Sequence, residues 1–131
     1  MENSISVDTD ILADILRNKP YAVEWAKKHD EDDVCMTIIS LFELYLGAYA
    51  SHNPSKSKEK VDNLLETTRL LYLSKHSAEE AGKQLARLSK EGRTIEFRDA
   101  LIGAIALTEK MPLKTNNKSH FQRIKGLSLS D

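Results

Sequence analysis

Asp8, Glu43 and Asp99 are the carboxylates of this 131-residue chain whose surroundings could carry chemistry. Asp8 follows the apolar segment Ile5-Ser6-Val7 and precedes Ile11, Leu12, Ile15 and Leu16 at helical spacing. Glu43 is flanked by Leu41, Phe42, Leu44, Tyr45 and Leu46, and Asp99 precedes Ala100-Leu101-Ile102-Gly103-Ala104-Ile105. Helices this apolar are not surface helices, so the last two acids should be partly enclosed and the helix after Leu41 mostly buried. An enclosed carboxylate is costly unless it is paired or bound to metal. No basic residue lies one turn from Glu43. Carboxylates that share a site raise one another's pKa, and the natural counter-charge is a hard cation such as Mg²⁺ or Mn²⁺.

The elements that must position these acids alternate. Strands are expected at Ile5 to Val7, Val34 to Ile39, Leu70 to Leu73 and Met111 to Thr115, with a fifth at Leu127 to Leu129. Helices are expected around Ile11 to Leu16, after Pro20, from Leu41 to Ala50, around Val61 to Thr68, from Ser77 to near Gly92, and from Asp99 through Ala106. Strands separated by helices predict an α/β fold, three layers α/β/α around a mostly parallel sheet of about five short strands. With no repeat, linker or low-complexity tract, residues 1–131 read as a single domain. Right-handed crossovers then gather helix N-termini at the carboxyl edge of the sheet, where α/β proteins place their sites. Asp8, Glu43 and Asp99 all fall on that rim, with Glu43 in the first turn of its helix.

Each acid also has a plainer reading. Asp8 or Asp10 could cap the first helix. Ser40-Leu41-Phe42-Glu43 matches a capping box, as Ser77 to Glu80 does independently. Asp99 could simply favour the positive end of its helix. Asp30-Glu31-Asp32-Asp33 lies between elements and reads as a solvated loop. Cys35 reads as a small buried hydrophobe, His29, His52 and His76 show no ligand spacing, and the five glycines form no phosphate loop.

Composition bounds the partners. Nineteen Lys+Arg against 20 Asp+Glu give a net charge of −1, which excludes a binder that coats nucleic acid by bulk charge. Forty per cent apolar and 30% charged residues suit a soluble globular chain, and the longest apolar run, Ala100 to Leu107, is too short for a bilayer. No secretory signal is evident at Met1-Glu2-Asn3-Ser4, and one cysteine suits a reducing compartment, so a cytoplasmic location is expected.

In order and spacing the chain resembles the PIN-domain ribonucleases, specifically the VapC-type toxins of toxin–antitoxin pairs. The resemblance runs through Val7-Asp8-Thr9-Asp10-Ile11-Leu12, Ser40-Leu41-Phe42-Glu43-Leu44, Gly92-Arg93-Thr94-Ile95, Asp99-Ala100-Leu101-Ile102-Gly103-Ala104, Leu113-Lys114-Thr115-Asn116-Asn117 and His120-Phe121-Gln122-Arg123-Ile124. It implies Mg²⁺- or Mn²⁺-dependent hydrolysis of RNA, with Asp8, Glu43 and Asp99 as catalytic and metal-holding acids. Thr9, Ser40 and Thr115 match hydroxyls that support the acids or a bound water. The chain departs from the pattern at Asn117, where many relatives carry Asp, and at His120, where an acid often precedes the phenylalanine. Asn117 still offers a carbonyl oxygen but no charge. His120 reads as a surface histidine starting a short terminal helix.

The resemblance further implies a homodimer and a VapB-like antitoxin laid across the acidic rim. The helices at Pro20 to Lys28 and Val61 to Thr68 are candidate surfaces for these contacts. Residues 110 to 125 carry Lys and Arg but no acid, so Lys114, Lys118, Arg123 and Lys125 are candidates for holding RNA. Two rivals stand beside this reading: a PIN nuclease that processes RNA without an antitoxin, and a PIN-fold module that binds without cleaving.

Overall fold

The computed structural model describes residues 3–131. The first strand, β1 (Ser4–Val7), is followed by helices α1 (Thr9–Leu16) and α2 (Pro20–Lys28) and by strand β2 (Asp33–Thr37). Helices α3 (Ile38–Tyr49) and α4 (Pro54–Glu66) lead to β3 (Arg69–Leu71). After α5 (Lys75–Lys90) and α6 (Phe97–Thr108) come β4 (Leu113–Lys114) and α7 (Lys118–Phe121).

The four strands are parallel in the order β3-β2-β1-β4. Chain order therefore reverses at β1: two crossovers build the sheet outward through β2 and β3, and the last brings β4 to the other side. Parallel strands splay their connections apart at such a reversal, leaving a crevice beyond the carboxyl ends of β1 and β4.

Side chains alternate across the sheet and divide the core in two. Cys35 and Leu113 join Leu71, Leu88, Ile102, Ile105, Phe121 and Ile124 on one side. Met36, Ile5 and Val7 join Ile11, Leu12, Leu41, Leu44 and Val61 on the other. This is the expected three-layer α/β/α arrangement. Helix α6 is small-sided and buried from Ile102 to Ala106, and Gly103 lets residue 124 approach it: an added Cβ would collide with Ile124 Cδ1.

Several sequence expectations need correction. The expected fifth strand at Leu127 to Leu129 is reduced to one parallel bridge, Leu129 to Leu113, so the described residues form four strands. The second strand stops at Thr37, not Ile39, because the Thr37 hydroxyl accepts the Ser40 N–H at 3.1 Å and starts α3 at Ile38. Two β-branched isoleucines thus enter a helix, tertiary context overriding propensity. The third strand ends at Leu71, leaving Tyr72 and Leu73 exposed. The box opening α5 is Ser74 with Ser77, not Ser77 with Glu80. Helix α6 starts at Phe97 with Glu96 as its cap, two residues before Asp99.

Helix α3 is not mostly buried. Phe42, Leu46 and Tyr49 are each more than half exposed and lie on one stripe at i, i+4 and i+7. Nor is the acidic stretch wholly a solvated loop. Asp33 is the first residue of β2, pairs with Arg69 Nη2 at 2.7 Å and accepts the Ser4 hydroxyl at 2.7 Å.

Candidate active site

Asp8 stands where β1 ends and α1 begins. Its backbone N–H donates to Lys114 O at 2.9 Å, continuing the β1–β4 ladder by one residue and fixing the acid inside the crevice. Oδ1 accepts the Thr9 N–H at 2.8 Å, which is the N-cap of α1. Oδ2 accepts the Thr115 hydroxyl at 2.7 Å from the end of β4. Asp8 thus caps α1 and is hydrogen-bonded across the sheet edge by Thr115.

Only 5% of Asp8 is exposed. Burial pushes its carboxyl up to about 7, and the neighbouring Asp10 and Asp99 add to the rise; the Thr115 and Thr9 hydrogen bonds oppose it. Among the described residues no basic side chain pairs with it. Asp99 is also raised, by burial first and then by the negative charges of Glu96 and Glu43, with His120 acting against the rise. These mutual effects place Asp8, Asp10 and Asp99 in one field, with Asp99 also within that of Glu43.

Glu43 lies in the second turn of α3, not the first, because the helix begins at Ile38. It takes no part in a capping box. Its Oε1 accepts the Thr9 hydroxyl at 2.7 Å, and Thr9 Oγ1 also lies 2.9 Å from Ser40 Oγ. Ser40 is the third residue of α3, fully buried and held by Thr37. Thr9 thus ties the first turn of α1 to α3, immediately beside Asp8. The cation missing from Glu43's own helix comes from α6: Arg98 Nη1 lies 3.8 Å from Glu43 Oε2.

Thr115 links the last element. Its hydroxyl donates to Asp8 and accepts the Asn117 N–H at 2.9 Å. The Asn117 amide lies 2.9 Å from Nδ1 of exposed His120 on short α7. Among the candidate RNA contacts, Lys114 Nζ donates to Asp131 O at 2.5 Å and Arg123 Nη1 to Thr94 O at 3.1 Å. Lys118 is exposed and, among the described residues, in no side-chain hydrogen bond or ion pair. Sequence reasoning missed Arg98 and gave Asp10 only a capping role. The signal for Arg98 was its place next to Asp99 in a first helical turn, on the rim that receives Glu43.

These donors suit a hard cation: buried or half-buried carboxylates flanked by hydroxyls, two of which, Asp8 and Asp99, are in no ion pair among the described residues. They are not a closed cage. Among the described residues, no three Asp, Glu, His or Cys side chains are grouped to hold an ion by themselves. An ion here would complete its shell with water or substrate oxygens, as Mg²⁺ commonly does. Nearby, a groove of about 600 Å³ between α1, α3 and α4 has Glu43, Arg98, Arg17 and Lys60 in its mostly apolar walls. Asp8 and Asp99 do not line it.

Asp8 at the start of α1, Glu43 in the second turn of α3 and Asp99 in the first turn of α6 bring three acids to the carboxyl edge of the sheet at its strand-order reversal. Residues 5–127 match the PIN domain, and the chain belongs to that family. It is 32% identical over 127 residues to Ribonuclease VapC1 of Haemophilus influenzae strain R2866, covering 95% of each chain. It is 26% identical over 125 residues to the tRNA(fMet)-specific endonuclease VapC of Shigella flexneri, again covering 95% of each. Among solved structures, VapBC-1 from nontypeable Haemophilus influenzae superposes with a TM-score of 0.87 at 30% identity, over 98% of this chain and 97% of that one.

Proposed function

We propose that this protein is a VapC-type endoribonuclease toxin that hydrolyses RNA phosphodiester bonds with Mg²⁺ or Mn²⁺ and is neutralised by a VapB-like antitoxin. The observation that carries the reading is Asp8: buried at the crevice, repelled by neighbouring acids, and in no ion pair among the described residues. Relatives named as VapC ribonucleases and VapBC complexes over nearly the whole chain support the same reading.

Asp8 and Asp99 would hold the principal ion, with Glu43 helping to place it. When bound, such an ion supplies a more acidic water as nucleophile and offsets charge on the leaving oxygen. The chain's own residues prepare the site. Thr115 and the Thr9 N–H hold both oxygens of Asp8 in one orientation, and the Thr9 hydroxyl does the same for Glu43. Thr115, itself gripped by the Asn117 N–H, keeps the end of β4 against β1. Exposed Lys118 would meet a phosphate, with Lys114 and Arg123 able to join only by leaving their backbone carbonyl partners. The groove beside Glu43 suits an antitoxin segment, and the exposed stripe of α3 a second copy of the chain or that antitoxin.

The test is cleavage of RNA by the purified chain. Wild type should cut with Mg²⁺ or Mn²⁺ and stop in excess chelator; Asp8→Asn and Asp99→Asn should fold and fail to cut. Cleavage that persists in chelator, or in both variants, sinks the metal mechanism. A folded chain that never cuts favours the binding module. Active chain with no antitoxin encoded beside it favours the RNA-processing nuclease.

A further inference from the structure

Resting on the metal-dependent reading of the site, we propose that Arg98 is an internal counter-ion of Glu43, a guanidinium plug that a divalent cation must displace before Glu43 can share in holding it. Arg98 and Asp99 occupy the same first turn of α6, so one helical start delivers both a metal-holding acid and a competing cation. Thr9 holds one oxygen of Glu43 at 2.7 Å, and Arg98 stands over the other at 3.8 Å. Among the described residues this is the single ion pair made by Asp8, Glu43 or Asp99.

The contact is built to yield. At 3.8 Å it lies within ion-pair range but makes no hydrogen bond. Meanwhile Arg98 Nε donates to Glu96 Oε1 at 3.2 Å, and the guanidinium carbon lies 5.6 Å from the Phe97 ring centre. Arg98 leaving Glu43 therefore keeps a carboxylate and a ring face as partners. Its side chain is 37% exposed, so solvent receives it without a core rearrangement. Cation for cation, the exchange keeps Glu43 neutralised, whereas Asp8 stays uncompensated until an ion arrives.

The test is calorimetric titration of the metal-free full chain with Mn²⁺ alone, in wild type, Arg98→Gln and Arg98→Lys, each also in a Glu43→Gln background. Removing the plug should tighten Mn²⁺ by roughly two- to fivefold, the range expected for a part-exposed ion pair. Arg98→Lys should stay near wild type, and Arg98→Gln should change nothing once Glu43 is gone. Equal or weaker binding by Arg98→Gln overturns the plug and leaves the metal site standing. Equal tightening in the Glu43→Gln background also overturns it, since the effect would then be charge acting through space. No saturable Mn²⁺ binding in any variant overturns the metal-dependent reading and the plug with it.

Discussion

At the residue scale, Asp8 sets the terms. Two good donors serve its two oxygens, which in an open site would hold a carboxyl low. Burial and two acidic neighbours outweigh them, and the group sits near 7 instead. A carboxyl raised on folding binds its proton more tightly in the native state, so metal-free stability falls as pH rises from about 4 to about 7. Asp8→Asn keeps the cap and the Thr115 contact without the charge. It should therefore melt several degrees above wild type at pH 8 in chelator and nearly together with it at pH 4. Thermal melts at the two pH values check this; a variant less stable than wild type at pH 8 would contradict it. The charge that the proposed metal would use thus costs stability in its absence.

At the element scale, the strand-to-helix junctions carry the candidate site. Asp8 caps α1, Thr37 caps α3 and Glu96 caps α6, so each of the three acids lies within two turns of a helix start. The other end of β2 is clamped differently. Asp33 grips Arg69 on β3 and Ser4 on β1, and the Arg69 hydrogen bonds hold its carboxyl at about 2. A carboxyl lowered on folding stabilises the native state above about pH 4 and loses that contribution as pH falls through about 2. Arg69→Gln should lower the urea midpoint modestly at pH 7, and the gap to wild type should close as the pH approaches 2. A gap independent of pH would show that Arg69 acts through packing alone. Arg69 is half exposed, so solvent screens the pair and the effect stays small.

At the scale of the whole molecule, the reversal of strand order at β1 opens the crevice, and α3 leaves a stripe of large apolar side chains exposed. Phe42, Leu46 and Tyr49 do not serve this chain's core, so Leu46→Ser should leave the denaturation midpoint within roughly 0.5 kcal/mol of wild type. It should weaken self-association or antitoxin binding, read by sedimentation with and without the antitoxin. A large loss of stability with unchanged association would return the stripe to the core. Much of this molecule was legible in its residues: β-branched runs, capping signals and apolar helices placed the acids at one edge of a parallel sheet, because local periodicity and crossover handedness depend on near neighbours. The same local reasoning misplaced the onset of α3, buried its exposed stripe and extended the sheet by a strand. Those outcomes turn on which partners a segment meets: Thr37 capping rather than continuing β2, Leu129 reaching Leu113 at a single bridge. The residues alone determined the identity and approximate position of Asp8, Glu43 and Asp99. Only the tertiary structure decided that, among the described residues, Asp8 meets no cation while Glu43 meets one, because Arg98 lies 55 residues further along the chain and charge compensation is set by distance in space.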